Sequence, residues 1–151
     1  MVNEETRRRT RPFNILLVED NPADVVLAVE AMKESSIPHS LSIVSDGDKA
    51  ISYMLREGRY ADVHRPDIVI LDLNLPKKHG FQVLKEIKEN PHLRCIPVII
   101  MSTSSDQNDI RHACELKANS YIVKPLNFER FLKVIRSIMD YWFNTAILPD
   151  E

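Results

Sequence analysis

The stretch that decides the fold is residues 68–74, which read IVILDLN. Its apolar run ends directly on a carboxylate, Asp72, and prolines stand on both sides at Pro66 and Pro76. A short apolar run bounded in this way is typical of a strand that is buried on both faces in the middle of a parallel sheet. Asp72 would then lie at the carboxyl end of the strand, which is the edge of an open α/β sheet where ligands bind. Asp also favours turns, so a functional role depends on polar residues at the other strand ends.

Further apolar runs lie on both sides of this strand, and helical patterns alternate with them along the chain. Together they predict strands at residues 14–18, 41–44, 68–72, 98–101 and 120–123. Five strand–helix units in strict alternation predict a doubly wound parallel sheet with helices on both faces and the strand order 2-1-3-4-5. Capping residues are predicted at the start of four of the helices: Asn21, Asp46, Asp106 and Asn127.

Apolar positions within the helices predict which side chains are buried. In the second helix the pattern predicts a buried Leu55 and a helix end at Gly58. In the fourth helix Cys114 falls on the apolar face, and in the last helix Phe128 does so.

Composition limits the classes of function. The chain has 151 residues, a formal net charge of -2 and a pI of about 6.2. This balance favours neither nucleic acid nor a membrane surface as the main partner. Cys95 and Cys114 lack metal-site spacing and suggest buried or idle thiols in a reducing compartment. Without an apolar run that could span a membrane, or a signal-peptide pattern, the sequence predicts a cytoplasmic protein.

The chain divides into three parts by composition. Residues 1–12 contain almost nothing to bury and carry a cluster of arginines, so they are predicted to form a disordered basic tail. Residues 13–140 form the folded domain. Residues 141–151 begin with Tyr141, Trp142 and Phe143. This extension either folds back onto the core of its own chain or forms a dimer contact, because aromatic side chains are enriched at the centres of interfaces.

Carboxylates follow the first and third strands, which the strand order makes neighbours at the switch point. Glu19 and Asp20 follow the first strand, and Asp72 ends the third. Three carboxylates in one crevice repel one another and should raise one another's pKa values. A hard divalent cation with oxygen ligands removes that conflict, so the sequence predicts a Mg²⁺ site here.

The fourth and fifth strands add a hydroxyl and a positive charge to the same edge. Ser102 ends the fourth strand, and Lys124 follows the fifth. Carboxylate, Mg²⁺, lysine and hydroxyl around one point suit phosphoryl transfer to a carboxylate, which would form an aspartyl phosphate. Each residue alone is better explained by a turn, a solvated lysine or a helix cap. Their occurrence together, each at the carboxyl end of its strand, favours the functional interpretation.

Four segments at these strand ends resemble the receiver domain of two-component response regulators. They are LLVEDNPAD (16–24), ILDLNLP (70–76), IIMSTS (99–104) and YIVKP (121–125), and the resemblance covers about residues 14–139. It implies the flavodoxin-like receiver fold. Within the family, DLNLPKK (72–78), the long segment after the second helix and WFNTAILP (142–149) are most similar to free-standing response regulators of bacterial, cyanobacterial-type phytochromes.

The resemblance implies a role for each residue of the acidic crevice. Asp72 matches the phosphoacceptor, which also contacts the metal. Asp20 matches the direct carboxylate ligand of Mg²⁺, and Glu19 matches a residue that acts mainly through a water. The backbone carbonyl of Asn74 matches the third protein ligand.

The resemblance also implies how the signal would leave the site. Lys124 matches the lysine that pairs with the phosphoryl group. Ser102 matches the switch hydroxyl that moves to meet the phosphoryl group, and Tyr121 matches the switch aromatic that turns inward. These movements alter the face made by helix four, strand five and helix five, the 4-5-5 face.

One position departs from the family pattern. The residue before Gly80 is usually Asp, and here it is His79. Because His79 lies outside the expected metal ligands, phosphorylation should survive the change. An exposed loop histidine explains His79 better than a role as a metal ligand.

Three function classes follow from these observations. The first is a single-domain response regulator that takes a phosphoryl group from a sensor histidine kinase, a phytochrome by resemblance, and forms a homodimer through the last helix and the extension. It catalyses only its own phosphorylation and dephosphorylation, so it is not an enzyme for outside substrates. The second is a phosphohydrolase with an Asp nucleophile, which needs a second Asp where this chain has Asn74. The third is an interaction module that acts independently of phosphorylation.

Overall fold

The computed structural model describes residues 12–124, 127–146 and 148. Most of the predicted tail, residues 1–11, lies outside the described residues. So do residues 125 and 126 after the fifth strand, and 147 and 149–151 of the predicted extension. Prediction of a disordered tail is therefore not addressed by the structure.

Five parallel strands form one sheet in the order β2-β1-β3-β4-β5, which confirms the predicted order. The third strand, at the centre, is buried along its whole length. Its neighbours on the two sides are β1 and β4. The strands are Phe13–Val18 (β1), His39–Val44 (β2), Ile68–Asp72 (β3), Val98–Ser102 (β4) and Ser120–Val123 (β5).

Five α-helices connect and cover the strands. All four predicted N-caps accept hydrogen bonds from backbone N–H groups in the first turns of their helices. No helix in the described part of the chain has both the length and the apolar character needed to cross a membrane. The helices are Pro22–Lys33 (α1), Gly47–Met54 (α2), Gly80–Glu89 (α3), Gln107–Glu115 (α4) and Phe128–Met139 (α5).

Two apolar layers hold the sheet, one on each face. Side chains of α2, α3 and α4 pack on one face, together with Leu16, Val69 and Ile100 of the strands. Side chains of α1 and α5 pack on the other, where Ile15 and Ile70 point. Each fully buried Leu or Ile of this kind contributes about 1.5–3 kcal/mol to folding. The layers fix the sheet and therefore the positions of its strand ends.

The segment after α2 differs from the prediction. The helix ends at Met54, and Leu55 is 41% exposed rather than buried. Arg56 turns the chain with a φ of 56°, in the left-handed region, before Gly58 is reached. Gly58 instead begins a short 3₁₀ turn that runs to Tyr60. The predicted end at Gly58 was therefore wrong, because Arg56 already turns the chain away from the helix before Gly58, whose own φ is also 56°.

Two further burial predictions were wrong. Both cysteines are free thiols, as predicted, but both are exposed, including Cys114 on α4. Phe128 is 41% exposed because it occupies the first position of α5, before that helix turns its apolar face to the sheet.

Beyond α5 the chain continues as a wider, π-helical segment, Asp140–Thr145. The ring of Phe143 lies edge-on to that of Phe13, with the centroids 5.8 Å apart. Trp142, Phe143 and Leu148 pack against the apolar layer beneath α1 and α5. The described part of the extension thus folds back onto its own core, while Tyr141 stays 53% exposed. A dimer contact through this segment remains a prediction.

Candidate functional site

Three carboxylates meet at the carboxyl ends of β1 and β3. Oxygens of Glu19, Asp20 and Asp72 all lie within 4.8 Å of one another. Glu19 and Asp72 are buried, and Asp20 is exposed. The parallel pairing of β1 with β3 brings these strand ends side by side. All three residues were expected from the sequence to converge at this point.

The Glu19 carboxylate is held on two sides. It accepts hydrogen bonds from the Asn21 backbone N–H at 3.1 Å and from Lys124 Nζ at 2.7 Å. Burial raises the pKa of Glu19 to about 7, assisted by neighbouring Asp72 and opposed by the bonds from Lys124 and Asn21. A proton or a cation would relieve the crowding.

Lys124 enters this group from the end of β5. Its Nζ lies 2.7 Å from Glu19 Oε2, 2.9 Å from Asp24 Oδ2 and 3.6 Å from Asp72 Oδ2. The side chain is only 9% exposed. Burial lowers the pKa of Lys124, but its bonds to Glu19 and Asp24 and the nearby charges outweigh burial and raise the pKa overall. The lysine is thus held protonated beside the third-strand carboxylate.

Ser102 and Tyr121 are linked through the loop after β4. Ser102 is buried, and its Oγ accepts a hydrogen bond from the Ser104 backbone N–H at 3.1 Å. The Tyr121 hydroxyl donates to the Ser104 carbonyl at 2.9 Å. Ser102 therefore bonds to the backbone N–H of Ser104, and Tyr121 bonds to the backbone carbonyl of the same residue.

The loop after β3 is tightly turned. The Asn74 backbone N–H donates to Asp72 Oδ1 at 3.1 Å, which fixes the orientation of that carboxylate. Lys77 has a φ of 67°, and the Lys78 N–H donates to the Pro76 carbonyl across it at 2.8 Å. A non-glycine residue with positive φ in so short a turn is strained.

His79 caps α3. Its Nδ1 accepts a hydrogen bond from the Phe81 N–H at 3.1 Å, the bond that an Asp would make at the same place. The next residue must be glycine, because a Cβ on Gly80 would come 2.5 Å from the Leu73 Cα. His79 is exposed and is not part of the three-carboxylate cluster.

Sequence reasoning missed Asp24. It stands in the first turn of α1, four residues after Asp20, and its carboxylate faces Lys124. The signal was present in the segment LLVEDNPAD, where the acidic residue falls one helical turn after the strand end.

The chemistry of this donor set fits a hard cation. Carboxylate oxygens are the preferred ligands of Mg²⁺ and Mn²⁺, and three of them already lie within reach of one ion. Glu19, Asp20 and Asp72 could therefore hold the metal, with a carboxylate, an ammonium and a hydroxyl beside it.

Known proteins match the chain over most of its length. The family model for the response regulator receiver domain matches residues 15–136. Response regulator Rcp1 of Synechocystis sp. is 43% identical over 138 residues, which cover 91% of this chain and 94% of Rcp1.

Solved structures with the same fold include two phytochrome-related proteins. The phosphorylated cyanobacterial phytochrome response regulator RcpA is 45% identical, with a TM-score of 0.87 over 93% of this chain and 100% of its own. The Mn²⁺-bound form of Rcp1 is 42% identical, with a TM-score of 0.85 over 92% of this chain and 100% of its own.

Proposed function

Because this chain belongs to the response regulator receiver domain family, a class of signalling proteins, we propose that it accepts a phosphoryl group on Asp72 in a Mg²⁺-dependent step. The donor is the phosphohistidine of a sensor histidine kinase. The observation that carries the proposal is the position of Asp72, which ends the central strand between a carboxylate cluster and the ammonium of Lys124.

In this proposal a carboxylate oxygen of Asp72 attacks the phosphorus of the donor. The new O–P bond forms as the P–N bond of the phosphohistidine breaks, and the imidazole leaves with the electron pair of that bond. A bound Mg²⁺ would neutralise the charge on the phosphoryl oxygens. Lys124 already lies 3.6 Å from Asp72 Oδ2, so its ammonium can pair with a phosphoryl oxygen after a small shift.

The ligand roles follow the positions of the side chains. Asp20 is exposed at the mouth of the crevice and would bind the metal directly. Glu19, already bonded to Lys124 and the Asn21 N–H, would act mainly through a water. The Asn74 carbonyl would supply the third protein ligand, since Asn74 follows Asp72 by two residues and is held beside it by the bond from its N–H to the Asp72 carboxylate. Hydrolysis of the aspartyl phosphate, catalysed by the same groups, would end the signal.

The output passes through Ser102 and Tyr121. Bonding of the Ser102 hydroxyl to the phosphoryl group would withdraw it from the Ser104 N–H. Movement of Ser104 would in turn displace the Tyr121 hydroxyl, which is bonded to its carbonyl. The 4-5-5 face, formed by α4, β5 and α5, would change as a result.

The named relatives suggest the partner. RcpA is described as a cyanobacterial phytochrome response regulator, and this chain is 45% identical to it, so we propose a phytochrome as the kinase. We further propose a cytoplasmic location, a homodimer formed through α5 and the extension, and neither nucleic acid nor membrane as a partner. Exposure of Tyr141 beside the packed Trp142 supports such a dimer contact. We also propose the division drawn from composition: a disordered basic tail of residues 1–12, a receiver domain of residues 13–140 and an extension of residues 141–151.

Intact mass after incubation with acetyl phosphate and Mg²⁺ tests the proposal. A gain of roughly 80 Da per chain is expected for one phosphoryl group bonded to a carboxylate. The gain should vanish in Asp72→Asn and in metal-free samples, and a cognate histidine kinase should produce it where the small donor does not. Absence of the gain with both donors would instead favour the alternative, a receiver-fold module that binds partners independently of phosphorylation.

A further inference from the structure

The Asp24 carboxylate is the third acidic partner of Lys124. Its Oδ2 lies 2.9 Å from Lys124 Nζ, nearly as close as Glu19 Oε2 at 2.7 Å. Asp24 is 33% exposed and stands on α1, whereas the other two carboxylates of this group are nearly buried at strand ends. The contact joins residues 100 positions apart, so α1 holds the end of β5 at this point.

Asp24 differs from the other partners in its relation to the metal. Glu19 and Asp72 belong to the three-carboxylate cluster, and Asp24 does not. A cation in the cluster would draw Asp72 to itself directly and Glu19 through a water, and both bonds to the ammonium would weaken as a result. Asp24 is then the carboxylate that remains for Lys124 in the metal-bound protein.

The geometry of an ammonium group adds a second argument. Lysine has three N–H donors in a tetrahedral arrangement. An N–H group that is bonded to Asp24 restricts the directions in which the other two N–H groups can point. Lys124 Nζ already lies 3.6 Å from Asp72 Oδ2. Holding the ammonium in this way keeps one donor directed at the phosphoryl position instead of leaving a long, flexible side chain to find it.

We propose that Asp24 is a positioning residue that anchors Lys124 beside the phosphoryl site when metal occupies the other carboxylates. The inference rests on the proposed phosphorylation of Asp72. It predicts that Asp24→Ala slows phosphorylation at saturating Mg²⁺ by about threefold or more, as expected for the loss of a partly exposed charged pair. It also predicts weaker Mg²⁺ binding, because the released lysine turns towards Glu19 and Asp72 and competes with the cation.

A double-mutant cycle separates this role from a general effect of charge. Mg²⁺ affinity is measured by calorimetry in the parent, Asp24→Ala, Lys124→Met and the double variant, and phosphorylation by intact mass with acetyl phosphate. Asp24→Ala should weaken Mg²⁺ binding in the parent and have no effect once Lys124 is replaced. Should Lys124→Met fail to fold, Lys124→Gln takes its place.

Two further variants serve as controls. Glu30→Ala removes one negative charge from the same helix, where Glu30 pairs with Lys33 at 3.0 Å and is 52% exposed; it should leave both measurements unchanged. Asp24→Glu keeps the charge and should retain more activity than Asp24→Ala.

The results distinguish the two proposals. A parent that phosphorylates, with Asp24→Ala phosphorylating equally fast or faster, would overturn the role of Asp24. A loss in Mg²⁺ affinity of the same size with and without Lys124 would overturn it too. If the parent gains no phosphoryl group from either acetyl phosphate or a cognate histidine kinase, the proposed function fails, and the Mg²⁺ cycle still tests the contact between Asp24 and Lys124.

Discussion

A partly buried lysine lies at each of the two ends of the sheet. At the carboxyl end, Lys124 is surrounded by carboxylates. At the amino end, Lys88 of α3 donates to the carbonyls of Arg94 and Ile96 at 3.2 and 2.9 Å, and to Asn119 Oδ1 at 3.2 Å. Each ammonium therefore faces three oxygen atoms, but the oxygens at one end are charged and those at the other are neutral.

That difference reverses the effect on protonation. Burial lowers the pKa of Lys88, since neutral acceptors only partly replace water around the ammonium. For Lys124 the carboxylates overcome burial and raise the pKa. Neutral partners make Lys88 a fixed clamp between α3, the loop before β4 and the start of β5. Carboxylate partners make Lys124 one charge among several, which a metal or a phosphoryl group can rearrange.

Removing Lys124 should give the largest effect, and one that depends on metal. Lys124→Met leaves Glu19 and Asp72 buried without a counter-charge, so the metal-free protein should lose about 2 kcal/mol or more of unfolding free energy at pH 7.5. Saturating Mg²⁺ should stabilise this variant more than the parent, because the cation replaces the lost positive charge. Urea unfolding with and without Mg²⁺ measures both values. If Mg²⁺ stabilised Lys124→Met and the parent equally, Lys124 would not act as an exchangeable positive charge, and the contrast with Lys88 would be refuted.

Removing Lys88 should lower the free energy of unfolding by an amount that does not depend on metal. Lys88→Met deprives three oxygens of their donor and should cost about 1–3 kcal/mol of unfolding free energy, the same with and without Mg²⁺. The phosphorylation rate should not change. Lys85→Met, at an exposed position of the same helix, is the matched control and should cost less than about 0.5 kcal/mol.

The pH dependence of stability sharpens the contrast further. The pKa of Glu19 is about 7 in the folded protein against an ordinary 4.5, so the folded state keeps a proton that the unfolded chain has released. The stability of the metal-free protein should therefore fall as pH rises from 5 to 8, by on the order of 1–2 kcal/mol. With Mg²⁺, which needs the ionised carboxylate, the Glu19 contribution to this fall should disappear. Thermal unfolding across this range checks the sign, and Glu19→Gln should remove the Glu19 contribution to the pH dependence.

The smallest effect is expected just outside the charged end. His79→Asp replaces one helix cap by a better one and should stabilise the protein by about 0.5–1 kcal/mol. Mg²⁺ affinity should change less than about twofold, because position 79 is outside the three-carboxylate cluster. Calorimetric titration measures the Mg²⁺ affinity, and urea unfolding measures the stability. A large gain in Mg²⁺ affinity would show that position 79 interacts with the metal site.

The carboxyl end could be predicted from the sequence, and the amino end could not. Apolar runs lead directly to Glu19, Asp20 and Asp72, so the sequence itself indicates that each lies at a strand end. Lys88 gives no such signal, because Asn119 is 31 residues away and the carbonyls that it binds belong to an irregular loop. Asp24 lies one helical turn after a strand end, but it was missed because its partner, Lys124, lies 100 residues further on.

Local departures from helical periodicity explain the wrong burial predictions. Leu55 lies at the end of α2, where the chain leaves the sheet through the left-handed turn at Arg56. Cys114 is near the end of α4, whose contact with the core is made mainly by Ala113. A 3.6-residue period describes the middle of a helix well and its last turn poorly.

The edge-on contact between Phe13 and Phe143 brings the start of β1 and the segment after α5 to one corner of the domain. When the two ends of a domain lie this close together, the domain can be inserted into a surface loop of a host protein without separating the ends of that loop. They also suit circular permutation, in which a short linker joins the two points and the chain is reopened elsewhere. The same fold could thus be rewired as an inserted, phosphorylation-responsive hinge in an engineered sensor.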